Sequence, residues 1–409
     1  MPSLLAWIDH DSKARERTLR ILSLFQEKES RDELGLGSVR DSFADQLFPG
    51  TSTIQTRLRY MLFVPWIYRS LEEKQLPAES FAVQADKMER DLVQPLMDSD
   101  DQAGVFGKTA GKRLKRLPSS VYWAGLSVWG IRITPFSQDE YHRRIDETYR
   151  RRNALKDLEK DAKARGDDID IDQRTASLSW HSQLPAPPED FPSMMNFALS
   201  REEAEFIREC IRVACPDSLL SFLALYCKPT ETQAPWEHPD YGRFSEQHKE
   251  LLTHARLFSE VMHGAAISYN FQLARIRNRE DLVTKHQESF NEWTANLPLE
   301  EICPWSVNRL WELTLNHGHT ITHQTRDFVR QWIDHTRSSP RDLLSNTDAL
   351  TLVKRREMKL KGTRSRFRNQ RALEQWGGYS GLGRLVYRWP NVKVLLNDLH
   401  QGINREEQC

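Results

Sequence analysis

The chain has 409 residues, 39% apolar and 28% charged, and its 58 Lys/Arg balance 58 Asp/Glu. This composition, with 12 Trp and 17 Phe, excludes wholesale disorder, and the length predicts two or three domains rather than one core. Apolar runs such as Met61 to Val64 ahead of Pro65 are far short of the roughly 20 residues of a membrane span, and the start meets Asp9 and Asp11 too early for a secretory signal. A cytoplasmic protein with no membrane partner is expected.

Helical signals dominate in chain order. After Asp9 to Ser12, a charged amphipathic helix carries Leu19, Ile21, Leu22, Leu24 and Phe25 and ends before Gly35 and Gly37. Ser52 with Gln55 reads as a capping box for a helix bearing Leu58, Met61 and Leu62, which Pro65 kinks or stops. Phe81 to Met97 reads as a further helix. In residues 105–134 a basic stretch (Lys108, Lys112, Arg113, Lys115, Arg116) runs into Pro118 and Ser119. Tyr122, Leu126 and Trp129 then follow at i, i+4 and i+7, and Ile131 and Ile133 alternate like a short strand. Helix, turn, helix, strand is the plan of a winged helix, and also a common accident in α-rich chains.

From Gln138 to Pro192 a charged helix gives way to a Pro-containing linker. Ser200 and Glu203 form a capping box for the helix through Val213, and Pro216 starts another through Tyr226. Leu251, Ala255, Phe258, Met262, Ala265, Tyr269 and Ile276 keep steps of three, four or seven. That pattern describes a helix of roughly 30 residues, about 45 Å long. Further helices are predicted over Asp281 to Ala295, Pro304 to Leu315 and Thr322 to Thr336, with Ser338, Ser339 and Pro340 as a boundary.

The neutral total conceals a polar distribution. Lys354 to Lys393 holds twelve Lys/Arg against Glu357 and Glu374 alone, so these forty residues carry about +10 and the remainder about −10. Cations neutralise phosphates, and aromatics interleaved with glycines (Trp376, Tyr379, Tyr387, Trp389) can stack on bases, although core positions suit these aromatics better. The candidate phosphate-binding residues are Lys354, Arg355, Arg356, Arg364, Arg366, Arg368 and Arg371, with Lys112, Arg113 and Lys115 as a second patch. The competing reading sets the basic end against an acidic surface of this protein or of a partner.

Other motifs carry less. Gly107, Lys108 and Thr109 resemble the end of a P-loop, but Gln102 stands where that motif requires Gly. Gly50 to Thr53 ahead of Arg57 and Arg59 reads as plain capping rather than an anion site. His317, His319 and His323 lack the Glu of a metalloprotease helix. Five cysteines (Cys210, Cys215, Cys227, Cys303, Cys409) match no zinc ribbon or finger, and Cys210, Cys215 and Cys227 read as reduced residues in or near helical cores. No metal or other cofactor is expected. Glu357 and Lys359 supply the Glu-x-Lys half of a Mg²⁺-dependent nuclease signature, with Asp342 or Asp348 as a second ligand; this is the main enzymatic alternative.

Pro2 to Trp7, the run Arg31 to Gly37 and the stretch Leu47 to Arg57 resemble an uncharacterised bacterial family known only as a numbered domain of unknown function. The similarity runs nearly end to end, through Trp376 to Trp389. The resemblance implies a genomic setting beside helicases, DNA methyltransferases and nucleases in islands like those of phage defence, and it implies no catalytic residue.

The expected protein is therefore mainly α and multi-domain. Its parts are an N-terminal helical domain (1–137) with a winged-helix candidate near 105–134, a charged helix and linker (138–195), a central bundle (196–340) and a basic C-terminal segment (341–409). The expected role is that of a non-catalytic nucleic-acid-binding subunit or adaptor, with DNA favoured over RNA and a helicase, nuclease or methyltransferase as partner enzyme. The alternatives are a protein–protein adaptor whose basic end binds an acidic partner, and the Glu357/Lys359 nuclease.

Overall fold

The computed structural model describes residues 32–108, 110–165, 178–315 and 318–405. The helix expected around Leu19 to Phe25, His317, Cys409 and the side chain of Lys112 lie outside the described residues. The protein is mainly α-helical, and the described residues contain no strand. None of their helices is long and apolar enough to cross a membrane. The chain divides into two compact units, each assembled from separated segments: Met1–Phe43 with Leu251–Leu385, and Ala44–Glu250 with Val386–Cys409.

The first unit is organised on the long helix Glu246–Ile276, 31 residues, whose periodic Phe258, Val261, Met262, Ala265 and Tyr269 are buried. Two tryptophans lie against it. Trp332 of the helix His323–Ser338 donates its indole N–H to the Val261 carbonyl at 2.9 Å, and Trp293 of the helix Glu280–Ala295 donates to the Glu260 carbonyl at 2.9 Å. Gly264 makes this possible, because a Cβ there would stand 2.3 Å from the Trp293 ring. The glycine-rich stretch after Glu374 is stitched to the same helix. Asn270 accepts from the Trp376 indole at 3.0 Å and from the Ser380 amide at 2.8 Å, and donates to the Ser380 carbonyl at 2.7 Å. Trp376 is accordingly core.

The second unit is built around the helix Tyr60–Glu73, buried almost throughout. It runs on through Pro65, which was expected to kink or stop it. Near the helix start the missing N–H forgoes one bond, and burying Tyr60, Phe63, Trp66 and Tyr68 outweighs that loss at roughly 1.5–3 kcal/mol per large apolar side chain. The Ser52/Gln55 pair does bond, with the Ser52 amide 3.1 Å from Gln55 Oε1, yet no helix starts there. Distant groups capture the amides that a helix would use. The Tyr122 hydroxyl accepts from Thr56 N at 2.9 Å and Arg57 N at 3.1 Å, and Asp398 accepts from Leu58 N at 2.9 Å.

Of the helix–turn–helix–strand order near 105–134, the second helix is present as Pro118–Val128. The basic stretch ahead of it is turns with one 3₁₀ turn, Gly111–Arg113, so Lys108 and Lys115 do not share a helical face. Glycines with positive φ at 104, 107 and 111 interrupt any helix there. Ile131 to Ile133 contribute an isolated antiparallel bridge, Arg132 to Trp180, rather than a wing. Elsewhere the helix Arg201–Ala214 opens on the Ser200/Glu203 capping box, with both reciprocal bonds made. It packs on the helix Trp389–Ile403 where Gly402 admits Ala204; a Cβ on Gly402 would lie 2.7 Å from that of Ala204.

Candidate nucleic-acid interface

The basic segment begins with the helix Thr347–Lys361, whose N-cap Asn346 accepts from the Asp348 and Ala349 amides. Gly362, at φ +55°, ends it in the left-handed region that glycine tolerates. Ala349, Val353, Arg356 and Glu357 form its buried stripe, and Lys354, Arg355 and Lys359 are exposed. Helical spacing thus divides adjacent cations between two environments.

Arg356 is only 6% exposed. Its guanidinium donates to the carbonyls of Leu34 (2.8 Å) and Gly35 (3.1 Å) and to Thr325 Oγ1 (2.9 Å), and its carbon lies 5.4 Å from the Phe328 ring centroid. Burial lowers its pKa from the ordinary arginine value, a measure of the desolvation that these acceptors offset. Arg366 is likewise engaged, pairing with Glu33 at 2.8 Å and donating to the Tyr269 hydroxyl at 2.9 Å. Lys361 approaches the same Glu33 at 3.4 Å. Arg356 and Arg366, both expected to grip phosphate, instead hold the residues after Asp32 to this unit. The physical reason is that each meets an acceptor in a half-buried or buried setting, where an unpaired cation would be costly.

Glu357 is fully buried. Its carboxylate accepts from the Ser365 hydroxyl and, at 2.9 Å, from the Arg366 amide, which folds the chain after Gly362 back along the helix. Burial raises its pKa, against the opposing effect of those two bonds. Glu357 is committed to its neighbours, Lys359 lies two residues on and so points away from it, and Asp342 and Asp348 are exposed.

Beyond the helix, Arg364 and Arg368 are exposed on either side of the buried Ser365. Asn369 caps the short helix Gln370–Glu374, which carries exposed Arg371. The cations presented to solvent between Thr347 and Glu374 are therefore Lys354, Arg355, Lys359, Arg364, Arg368 and Arg371. Tyr379 is 52% exposed, with the Lys285 ammonium 4.8 Å from its ring centroid, whereas Tyr387 and Trp389 of the second unit are buried. Of the second patch, Arg113 and Lys115 are exposed. The histidine pair does not assemble: the helix begins at His323, with Thr322 as N-cap, so His319 precedes it, and His323 pairs with Asp327 at 2.7 Å.

Sequence reading missed Glu33 and Tyr269, the partners that withdraw Arg366 from the surface. The one legible hint was Glu33 in a run ending at Gly35 and Gly37. No curated protein and no solved structure matches the chain. The model of a family of unknown function, DUF6361, matches residues 2–402, and the chain belongs to that family.

Proposed function

We propose that the protein is a non-catalytic nucleic-acid-binding subunit, with DNA favoured, that holds phosphates through Lys354, Arg355, Arg364, Arg368 and Arg371. Arg113 and Lys115 provide a second contact. The observation that carries this reading is the division of the basic segment. The fold binds Arg356, Lys361, Arg366 and Arg388 internally, while Lys354, Arg355, Lys359, Arg364, Arg368 and Arg371 are exposed on one capped helix and the chain that follows it. Several exposed cations in one stretch of chain suit a polyanion. Half-exposed Tyr379 adds an aromatic face in the same unit. A place in a defence-type system beside a helicase, nuclease or methyltransferase rests on the family resemblance alone.

The test is fluorescence anisotropy of the full chain with labelled duplex and single-stranded DNA at low salt, followed by heparin competition. Binding displaced by heparin supports the proposal. Absence of binding at low salt refutes it for the isolated protein and favours the adaptor reading, in which the same cations meet an acidic protein surface.

A further inference from the structure

The second unit brings together three side chains whose spacing in the sequence fits no ribbon or finger. Cys227 follows the helix Leu219–Tyr226 as its C-cap, His238 closes the 3₁₀ turn Pro235–Glu237, and Asp240 opens the turn Tyr241–Arg243. One donor atom from each lies within 4.8 Å of the other two. His238 is buried, and Cys227 and Asp240 are half-buried.

The donor atoms face one another, and a metal at His238 Nδ1 would replace the amide hydrogen bond that this nitrogen now accepts. His238 Nδ1 stands 3.9 Å from Asp240 Oδ2 and accepts the Asp240 backbone N–H at 3.0 Å. An amide can only donate, so this nitrogen carries a lone pair rather than a proton. Arg243 holds the other carboxylate oxygen, Oδ1, at 3.1 Å, which orients Asp240 and leaves Oδ2 towards the imidazole. The ring is seated between Phe244 and Trp389, with centroids at 5.6 and 6.0 Å. A cavity of about 30 Å³ lined by Cys227, His238 and His400 adjoins the cluster, and that volume is of the size of one water molecule or ion.

Thiol sulfur, imidazole nitrogen and carboxylate oxygen are together a donor set for Zn²⁺. Tetrahedral bonds of about 2.0–2.3 Å place ligand atoms roughly 3.5 Å apart, so the cluster needs to contract by about an ångström, a movement within reach of side-chain rotation. We propose that Cys227, His238 and Asp240 form a zinc-binding site whose fourth coordination position opens to the adjoining cavity. Lys228 and Lys393 also line that cavity, so charge balance rests on the thiolate and the Asp240 carboxylate, and the thiol proton leaves to solvent on binding.

The test titrates full-length, chelator-stripped protein with Co²⁺ and reads thiolate-to-cobalt charge-transfer absorption and metal stoichiometry, then displaces Co²⁺ with Zn²⁺. The site predicts one ion per chain, a band abolished by Cys227→Ser and unchanged by Cys303→Ser, whose cysteine is exposed elsewhere. Asp240→Asn keeps the shape of the side chain and should weaken binding by at least the roughly tenfold that even an outer-shell partner contributes. No band in the wild type, a band that persists in Cys227→Ser, or undiminished affinity in Asp240→Asn would each overturn the assignment.

Discussion

Replacing Arg356 separates a cation of the fold from a cation of the surface. In Arg356→Ala the carbonyls of Leu34 and Gly35 and the hydroxyl of Thr325 lose donors at 2.8, 3.1 and 2.9 Å. Each buried polar group left unsatisfied costs about 1–3 kcal/mol. Relief of the guanidinium's own desolvation, visible in its lowered pKa, returns part of that sum, which leaves a net loss of about 2–4 kcal/mol. The adjacent Arg355 is exposed, so Arg355→Ala should stay within about 0.5 kcal/mol of wild type. Urea unfolding measures both. With a slope of about 2 kcal/mol per molar, Arg356→Ala lowers the midpoint of the transition of its unit by about 1–2 M, and Arg355→Ala leaves it in place. Arg356→Lys retains the charge without the planar fork and should fall between them, nearer to Ala. Equal midpoints for Arg356→Ala and Arg355→Ala would refute the structural role of Arg356.

Glu89 is buried with Oε2 on the Ser119 amide at 2.7 Å and Oε1 unpartnered, and burial raises its pKa to about 7. The folded state then binds the proton more tightly than the unfolded one, so ionisation destabilises: stability falls as pH rises from about 4.5 to about 7, by about 3 kcal/mol. Glu89→Gln should remove that fall, as read from urea midpoints across this range, and an unchanged pH dependence would contradict it. In Asp398→Ala the Arg57 guanidinium loses a bidentate partner at 2.9–3.1 Å, with an expected cost of about 3–5 kcal/mol; a loss below about 1 kcal/mol by the same assay would count against that buried pair. Gly264→Ala drives a methyl to 2.3 Å from the Trp293 ring and should cost about 1–3 kcal/mol through overpacking, with a change in Trp fluorescence. Wild-type stability and emission would show that the long helix and Trp293 are not in close contact.

Local signals transferred well from sequence to structure. The stepwise apolar pattern from Leu251 to Ile276 became one continuous helix, the Ser200/Glu203 capping box opened a helix as expected, and the helix expected over Thr322 to Thr336 is present as His323–Ser338. These features depend on neighbours within a few residues, which a single sequence displays. The Ser52/Gln55 signal formed its bond but no helix, because Tyr122 and Asp398 captured the following amides from far along the chain. The candidate interface shows the same limit. Counting cations located the basic segment, but Arg356 contacts Leu34 across 322 positions, and Glu33 takes up Lys361 and Arg366. Nothing local distinguishes Arg355 from Arg356 except which face of the helix is buried. The burial of Glu357 and its bonds to Ser365 and Arg366 were likewise not legible in the neighbouring residues.

The most direct test of the nucleic-acid reading is the salt dependence of DNA binding by wild type and by a variant with Lys354, Arg355, Arg368 and Arg371 all changed to Ala. Each lost phosphate contact should flatten the log–log salt slope by about 0.7–0.9, so four contacts predict a decrease of about 3, with the urea midpoint unchanged. An unchanged slope in the quadruple variant, or DNA binding that responds only to substitutions that also unfold the protein, would contradict a phosphate-binding role for these exposed cations.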